Sequence, residues 1–175
     1  MRHVERSGPH FRVCDPSWTD PLDVTFSARH GGRWNAAGSY GVLYLNATIA
    51  VAAANARRNY DGEIATLFDL RARERPDIQF VNVASASFVD IVTPAGIRAV
   101  RLPAGFPYGV PHEPCQRIGA RAYAAREIGI ATRSNADATA TSFVGEELAV
   151  FDTAMTLVAR GERLPFAQWY PVEVS

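Results

Sequence analysis

The sequence predicts an α+β fold: a single domain with a mixed β-sheet core and flanking helices. The chain has 175 residues, a length typical of one domain. Hydrophobic residues make up 47% of it and charged residues 21%, as in ordinary globular proteins. Strand-like and helix-like segments are mixed without the strict alternation of a parallel α/β sheet. We therefore assign one domain to residues 1–175, with its core at about residues 11–160.

The first half of the chain predicts short strands around one alanine-rich helix. A glycine-rich loop at residues 30–41 is followed by a buried strand at 42–45. A helix is expected at 47–58, where Asn46 or Thr48 can accept a hydrogen bond from the first turn. Further strands are predicted at residues 11–13, 64–70 and 78–83, with a turn-rich stretch at 15–23.

The second half predicts two helices and several strands. Thr93 and Pro94 are typical of a helix start, which indicates a short helix to about residue 101. The clearest helix is expected at 114–127, because its apolar residues recur on one face, and Gly129 is its expected C-cap. Strands are predicted at residues 90–92, 130–132, 147–151 and 156–159, and an irregular loop at 102–113.

Charge and cysteine content exclude several classes of function. Eighteen basic and eighteen acidic residues cancel, which disfavours non-specific binding to nucleic acid or to an anionic membrane. Two distant cysteines make neither a CxxC pair nor a zinc site. The first ten residues are polar, and the longest apolar stretch, at 49–54, is too short to span a bilayer. We expect a cytoplasmic protein.

Common catalytic motifs are missing from the sequence. It contains no P-loop, no GxGxxG after a strand, no HExxH and no GxSxG, and its four histidines are scattered. The sequence therefore predicts no metal site. It also gives no support to the usual hydrolase and nucleotide-triphosphate functions.

The loop His30-Gly31-Gly32-Arg33-Trp34-Asn35 is the most unusual segment of the chain. An arginine binds phosphate bidentately, and neighbouring glycines let the backbone approach an anion. The alternative is a surface arginine beside a tryptophan that anchors the loop. Local chemistry leaves both interpretations open.

This segment resembles the signature of the RES domain family, which is named for an arginine, a glutamate and a serine. Five further segments agree with the family in order: Phe11-Arg12-Val13, Val42-Leu43-Tyr44-Leu45, Val89-Asp90-Ile91-Val92-Thr93-Pro94, Cys115-Gln116-Arg117-Ile118-Gly119 and Gly129-Ile130-Ala131-Thr132-Arg133-Ser134. The likeness covers about residues 11–151. The stretch Gly31-Gly32-Arg33-Trp34-Asn35 is its most specific part.

The resemblance implies a fold and an activity. RES proteins are toxins of bacterial type II toxin–antitoxin modules, with a fold similar to ADP-ribosyltransferases. Their members consume NAD as a substrate by hydrolysis or phosphorolysis of the nicotinamide glycosidic bond, or transfer ADP-ribose to a protein. The implied partner is a helix-turn-helix antitoxin whose C-terminal domain binds the toxin and covers the active site.

The resemblance also implies roles for individual residues. Arg33 would hold the NAD pyrophosphate, and Arg12 matches a second arginine on the phosphate side. Tyr44 would pack against the nicotinamide or its ribose, and Ser134 matches the family serine and would contact substrate. Without the resemblance, Tyr44 is equally well a core residue, Arg12 a surface residue and Ser134 a strand-end hydroxyl.

One position departs from the family pattern. The family glutamate lies eleven residues after the tyrosine, and that position here is Asn55. Asparagine carries no negative charge to stabilise an oxocarbenium-like transition state, although it can bond a ribose hydroxyl. Either Asn55 is a working substitute, or Glu146 or Glu147 supplies the carboxylate, or activity has been lost.

Three functions therefore follow from the sequence. The first is an NAD-consuming toxin in which Arg12, Arg33, Tyr44, Asn55 and Ser134 form the site. The second is a protein ADP-ribosyltransferase that uses NAD. The third is a catalytically degraded RES protein that acts only as a binding partner.

Overall fold

A computed structural model describes residues 1–139 and 141–171 of the chain. The strands are β1 (His3–Cys14), β2 (Val42–Asn46), β3 (Asp77–Ile91), β4 (Gly129–Arg133), β5 (Glu146–Phe151) and β6 (Val158–Leu164). The helices are α1 (Thr25–His30), α2 (Ile49–Arg58), α3 (Pro94–Ala99), α4 (His112–Ala124) and α5 (Phe166–Trp169). Short 3₁₀ turns lie at Ala72–Glu74 and Asp152–Leu157.

The strands form one mixed sheet in the order β1-β2-β5-β4-β3-β6, and β1 also pairs with β3. The long strand β3 pairs with three other strands of this sheet. One edge of β3 pairs with β1 from His3–Val89 to Cys14–Asp77, and its other edge pairs first with β6 and then with β4. Among the described strands, only the β3–β4 pairing is parallel. The predicted α+β class with a mixed sheet and flanking helices is confirmed.

Side chains alternate between the two faces of the central strands. On β2, Leu43 and Leu45 enter a core cluster on one face, together with Leu148 and Val150 of β5. The alternate residues of these strands lie on the opposite face, on the side of α3 and α4. There Val42, Ala149 and Phe151 pack in a second cluster with Trp34 and Ile118. A third cluster joins α2 to α5 through Ala52, Ala56 and Trp169. Within the described residues, no helix is long and apolar enough to cross a membrane.

Several predicted elements of the first half need correction. Residues 64–70 are turns and not a strand, because Asp69 accepts from both the backbone nitrogen and the hydroxyl of Thr66, at 2.7 and 2.8 Å. Such local bonds compete with a strand ladder. The first strand is longer than predicted. The strands expected at 78–83 and 90–92 are one strand, since β1 pairs along almost its whole length. The helices α1 and α5 were not predicted.

The helix predictions were closer. Thr48 caps α2 by accepting from the nitrogen of Val51 at 3.2 Å, and Thr93 caps α3 ahead of Pro94. The long helix α4 begins at His112 and ends at Ala124. Gly129 is not its C-cap but the first residue of β4, where a Cβ would lie 2.3 Å from the Ala149 carbonyl oxygen. The last predicted strand, at 156–159, is β6 and begins at Val158.

Helix α4 packs directly on the loop between α1 and β2. At Gly119 a Cβ would lie 1.9 Å from the carbonyl oxygen of Trp34, closer than any real contact. The same carbonyl accepts from the Tyr40 hydroxyl at 2.6 Å. A glycine at this point of α4 is therefore what lets the helix touch the loop backbone.

We predict that Gly119→Ala destabilises the protein by about 1–3 kcal/mol, the usual cost of overpacking a core. Helix propensity alone would stabilise this variant by about 1 kcal/mol, so the sign of the effect identifies the close contact. Denaturant unfolding monitored by circular dichroism measures the change. Ala120→Gly at the exposed neighbouring position is the control and should lose about 1 kcal/mol through propensity alone. A stabilised Gly119→Ala protein would contradict this packing.

Candidate active site

A cleft of about 380 Å³ opens between the glycine-rich loop, β2 and α2. Its volume lies within the range of small-molecule sites, roughly 300–1,000 Å³. The polar and charged side chains that line it are Arg12, Ser27, Arg33, Tyr44, Asn46, Asn55, Arg58, Asn59, His112, Asn135 and Glu147. Of the residues predicted for the site, the cleft brings together Arg12, Arg33, Tyr44 and Asn55.

The glycines shape the loop that carries Arg33. Gly31 has φ +77° and ends α1, where its N–H donates to the Ser27 carbonyl at 2.8 Å. A Cβ on Gly32 would lie 2.5 Å from the Tyr44 hydroxyl oxygen. Gln116 of α4 donates to the Gly32 carbonyl at 2.9 Å. These contacts fix the backbone just before Arg33.

The next two residues of the loop are buried. Trp34 is fully buried and packs with Phe106, so it anchors the loop and does not face the cleft. Asn35 is also fully buried, and its amide nitrogen donates to the carbonyls of Ser27 at 2.7 Å and Tyr40 at 3.0 Å. The loop is therefore held by side chains from within itself as well as from α4.

Tyr44 links the β2 strand to the loop. Its hydroxyl donates to Asn35 Oδ1 at 2.9 Å and accepts from the Trp34 nitrogen at 3.0 Å. Burial raises the pKa of the Tyr44 hydroxyl well above its ordinary value. The side chain is therefore a neutral phenol at neutral pH, fixed at the wall of the cleft.

Two arginines converge on one oxygen in the cleft. With the Asn135 amide nitrogen donating to the Pro107 carbonyl at 3.1 Å, the Asn135 oxygen accepts from Arg33 at 2.9 Å and from Arg58 at 2.6 Å. Arg33 also donates to the Val110 carbonyl at 3.3 Å. Neither guanidinium has an acidic partner among the described residues.

Arg12 adds a third cation to the same cleft. Its guanidinium lies 5.3 Å from the centre of the Trp18 ring and donates to the Asp23 carbonyl at 3.1 Å. Its other terminal nitrogen, Nη1, is buried and has no hydrogen-bond partner within the described residues. Burial lowers the pKa of Arg12 below its ordinary value. An anion in the cleft would satisfy this unpaired donor.

His112 lies beside these arginines at the start of α4. Burial lowers the pKa of His112, and the charges of Arg33 and Arg58 lower it further. The imidazole is therefore uncharged at neutral pH. The positive charge of the cleft comes from its arginines.

A negatively charged side chain, Glu147, lies where α2 meets β5. Asn55 donates to Glu147 Oε1 at 2.8 Å and to Asn46 Oδ1 at 2.7 Å. Ser134 donates to the same oxygen of Glu147 at 2.5 Å. Ser134 is fully buried and lies behind Glu147, so it does not line the cleft. Among the described lining residues, Glu147 is the one acidic side chain.

Strand alternation separates the two neighbouring glutamates. Glu147 faces the cleft, whereas Glu146 faces β1 and pairs with Arg6 at 2.7 Å. The sequence interpretation left these two residues open as a substitute carboxylate. Of the two, only Glu147 lines the cleft.

Sequence reasoning missed Arg58 and Asn135 as site residues. A signal existed for Arg58, which follows Asn55 by three residues and so shares a face of the same helix. Asn135 follows Ser134 directly, but nothing in the sequence indicates that its amide joins two arginines. In the described residues, no group of histidine, cysteine or acidic side chains is arranged to hold a metal ion.

The sequence matches a known protein family over most of its length. The family model described as "RES domain" matches residues 9–168 of the chain. The chain belongs to the RES domain family. The sequence-based resemblance is thus confirmed, and the loop with Arg33, the Tyr44 strand and Ser134 all lie within the matched RES domain.

A solved structure has the same fold. This RES domain is similar to a chain in the crystal structure of the MbcT–MbcA toxin–antitoxin complex of M. tuberculosis. The TM-score is 0.77 at 19% sequence identity, over 93% of this chain and 86% of the other. No individually curated protein matches the sequence.

We predict that Tyr44→Phe destabilises this RES domain by about 1–3 kcal/mol, because the buried Trp34 nitrogen and Asn35 oxygen lose their partner. Denaturant unfolding measures the difference. Tyr108→Phe is the matched control, since Tyr108 is 55% exposed and should change stability by less than about 0.5 kcal/mol. Equal stability of both variants would show that the Tyr44 hydroxyl does not hold the loop.

Proposed function

We propose that this protein is the toxin of a bacterial toxin–antitoxin module and consumes NAD by cleaving the nicotinamide glycosidic bond. The observation that carries the proposal is the charge distribution in the cleft. Arg12, Arg33 and Arg58 line it without acidic partners among the described residues, and Glu147 is the one acidic side chain among its described lining residues.

NAD has the matching polarity. Its pyrophosphate carries two negative charges, and its nicotinamide ribose becomes more cationic at C1′ as the glycosidic bond breaks. Guanidiniums bind phosphate oxygens through paired, charge-assisted hydrogen bonds. Arg33 and Arg58 already direct donors at one oxygen, that of Asn135, and Arg12 has a donor to spare. We assign these three residues to the pyrophosphate.

The nicotinamide end would then lie against Tyr44 and Asn55. Tyr44 is held by Asn35 and Trp34, and Asn55 by Asn46 and Glu147, so neither side chain must be ordered when substrate binds. A preorganised site loses less free energy on binding. The assignment follows the residue roles that the family resemblance implies, with NAD as substrate and no metal.

The experiment is incubation of the purified protein with NAD, with and without phosphate, followed by identification of the products. Release of nicotinamide with ADP-ribose indicates hydrolysis, and release with ADP-ribose 1″-phosphate indicates phosphorolysis. Label transferred from NAD to a discrete protein in a lysate would instead establish a protein ADP-ribosyltransferase. Unchanged NAD under all conditions would leave a protein that acts only by binding.

We predict that Arg33→Ala abolishes NAD consumption while the fold remains intact. Loss of a charge-assisted contact to a bound phosphate costs about 2–5 kcal/mol of binding. Turnover at NAD concentrations below saturation measures the effect, with folding checked by circular dichroism. Arg98→Ala, at an exposed position of α3, is the control and should turn over like the wild type. Normal turnover by a folded Arg33→Ala protein would remove the pyrophosphate site.

We also predict that expression of this chain alone slows bacterial growth and that co-expression of a helix-turn-helix antitoxin from the neighbouring gene relieves it. The basis is family membership and the toxin–antitoxin complex of the structural neighbour. Growth curves after induction measure the effect, with Arg33→Ala as the inactive control. Normal growth despite abundant soluble wild-type protein would contradict a toxin.

A further inference from the structure

The carboxylate of Glu147 has a position in the cleft that no other described acidic side chain shares. It projects from the first residues of β5, opposite Asn46 of β2 and Thr132 of β4. Two neutral donors, the Asn55 amide and the Ser134 hydroxyl, bond its Oε1 at 2.8 and 2.5 Å. Neither Glu147 oxygen forms an ion pair with a described residue.

These contacts hold the carboxylate without neutralising it. Hydrogen bonds from two sides fix the direction of one oxygen. An arginine partner, as Glu146 has in Arg6, would compensate the charge instead. The negative charge of Glu147 thus remains directed at the cleft and is not paired with Arg33 or Arg58.

The donors themselves are fixed. Ser134 is fully buried, and its hydroxyl also accepts from the Ala136 nitrogen at 3.2 Å. Asn55 is held between Asn46 and Glu147, and the Asn46 amide in turn donates to the Phe11 carbonyl at 2.9 Å. A chain of bonds therefore connects Glu147 to the backbone of β1, and it leaves the carboxylate little freedom to turn away.

We propose that Glu147 is the catalytic carboxylate of this protein, and that Asn55 and Ser134 are its positioning residues. This rests on the proposed cleavage of NAD. When the bond between C1′ and the nicotinamide nitrogen breaks, its electron pair leaves with the nicotinamide, which becomes neutral. The positive charge on C1′ and the ring oxygen is stabilised by Glu147. A water oxygen then bonds to C1′ and releases its proton to solvent, which gives ADP-ribose.

The same geometry accounts for the neutral residue at position 55. Asn55 Nδ2 and Glu147 Oε1 are 2.8 Å apart, so a carboxylate on either the helix or the strand reaches the same point of the cleft. The charge that the family pattern places on α2 is carried here by β5. Asn55 donates a hydrogen bond that holds the carboxylate of Glu147 in place.

The test compares purified variants in NAD cleavage and, separately, in NAD binding by calorimetry. Glu147→Gln should lower kcat by about 10²–10³-fold, which is the usual effect of removing one group that stabilises charge in the transition state. The Kd for NAD should change less than about tenfold, because the contacts to the phosphates remain. Glu147→Asp keeps the negative charge but withdraws it by one methylene group. This variant should bind NAD and cleave it with a kcat between those of the wild type and Glu147→Gln. It replaces Glu147→Gln in the test if Glu147→Gln does not fold. Glu146→Gln is the control and should cleave NAD like the wild type.

The exchanged variant N55E/E147N separates a chemical from a structural role. If the carboxylate works from either side, this protein should cleave NAD at least tenfold faster than Glu147→Gln. Wild-type kcat in a folded Glu147→Gln protein would overturn the assignment and leave the proposed function in place. A wild-type protein that does not cleave NAD would overturn the proposed function, and this assignment with it.

Discussion

The site depends on the loop that carries Arg33, whose centre at Trp34 and Asn35 is fully buried. A buried N–H or carbonyl without a partner is costly, so this part of the loop is stable only if side chains supply the bonds. Tyr44 supplies them from β2, Gln116 from α4, and Asn35 from the loop itself. Gly32 and Gly119 remove the side chains that would prevent these contacts. Arg33 enters the cleft because everything adjacent to it is already fixed.

The described lining of the cleft combines three guanidiniums with a single carboxylate. Like charges in close proximity repel each other, and Arg33 and Arg58 share a neutral amide oxygen in place of an acidic partner. A ligand that has both an anionic centre and a developing cation complements these two kinds of charge. This combination of charges, more than any single residue, distinguishes the site from an ordinary surface groove.

Much of this arrangement could be predicted from the sequence. The period-two pattern of β2 places Val42, Tyr44 and Asn46 on one face, and the Thr93-Pro94 pair marks the start of α3. The glycine-rich loop and its arginine were recognisable from composition. The ranges of β1 and β3 could not be predicted in this way. Each strand depends on pairing with the other across a long sequence separation, and their small and polar residues show no alternating hydrophobic pattern. A single sequence does not show which segment pairs with which.

The same limit applies to the acidic side chain of the cleft. The sequence showed that Asn55 departs from the family and that Glu146 or Glu147 was an alternative, but it did not show which of the two faces the cleft. Counting in steps of two from the buried Phe151 assigns Glu147 to the side of α4 once β5 is known to be a strand. The contact between Asn55 and Glu147 spans 92 positions in sequence and becomes visible only in the fold.

The proposed function and the assignment of Glu147 together require that NAD lies in this cleft with its pyrophosphate at the arginines and its nicotinamide ribose at Glu147. A crystal structure of the Glu147→Gln protein with bound NAD tests it most directly. We expect phosphate oxygens within hydrogen-bond distance of Arg33 and Arg58, and C1′ of the nicotinamide ribose beside residues 55 and 147. NAD bound outside the cleft, or bound in it with the adenine end beside residue 147, would contradict this binding mode.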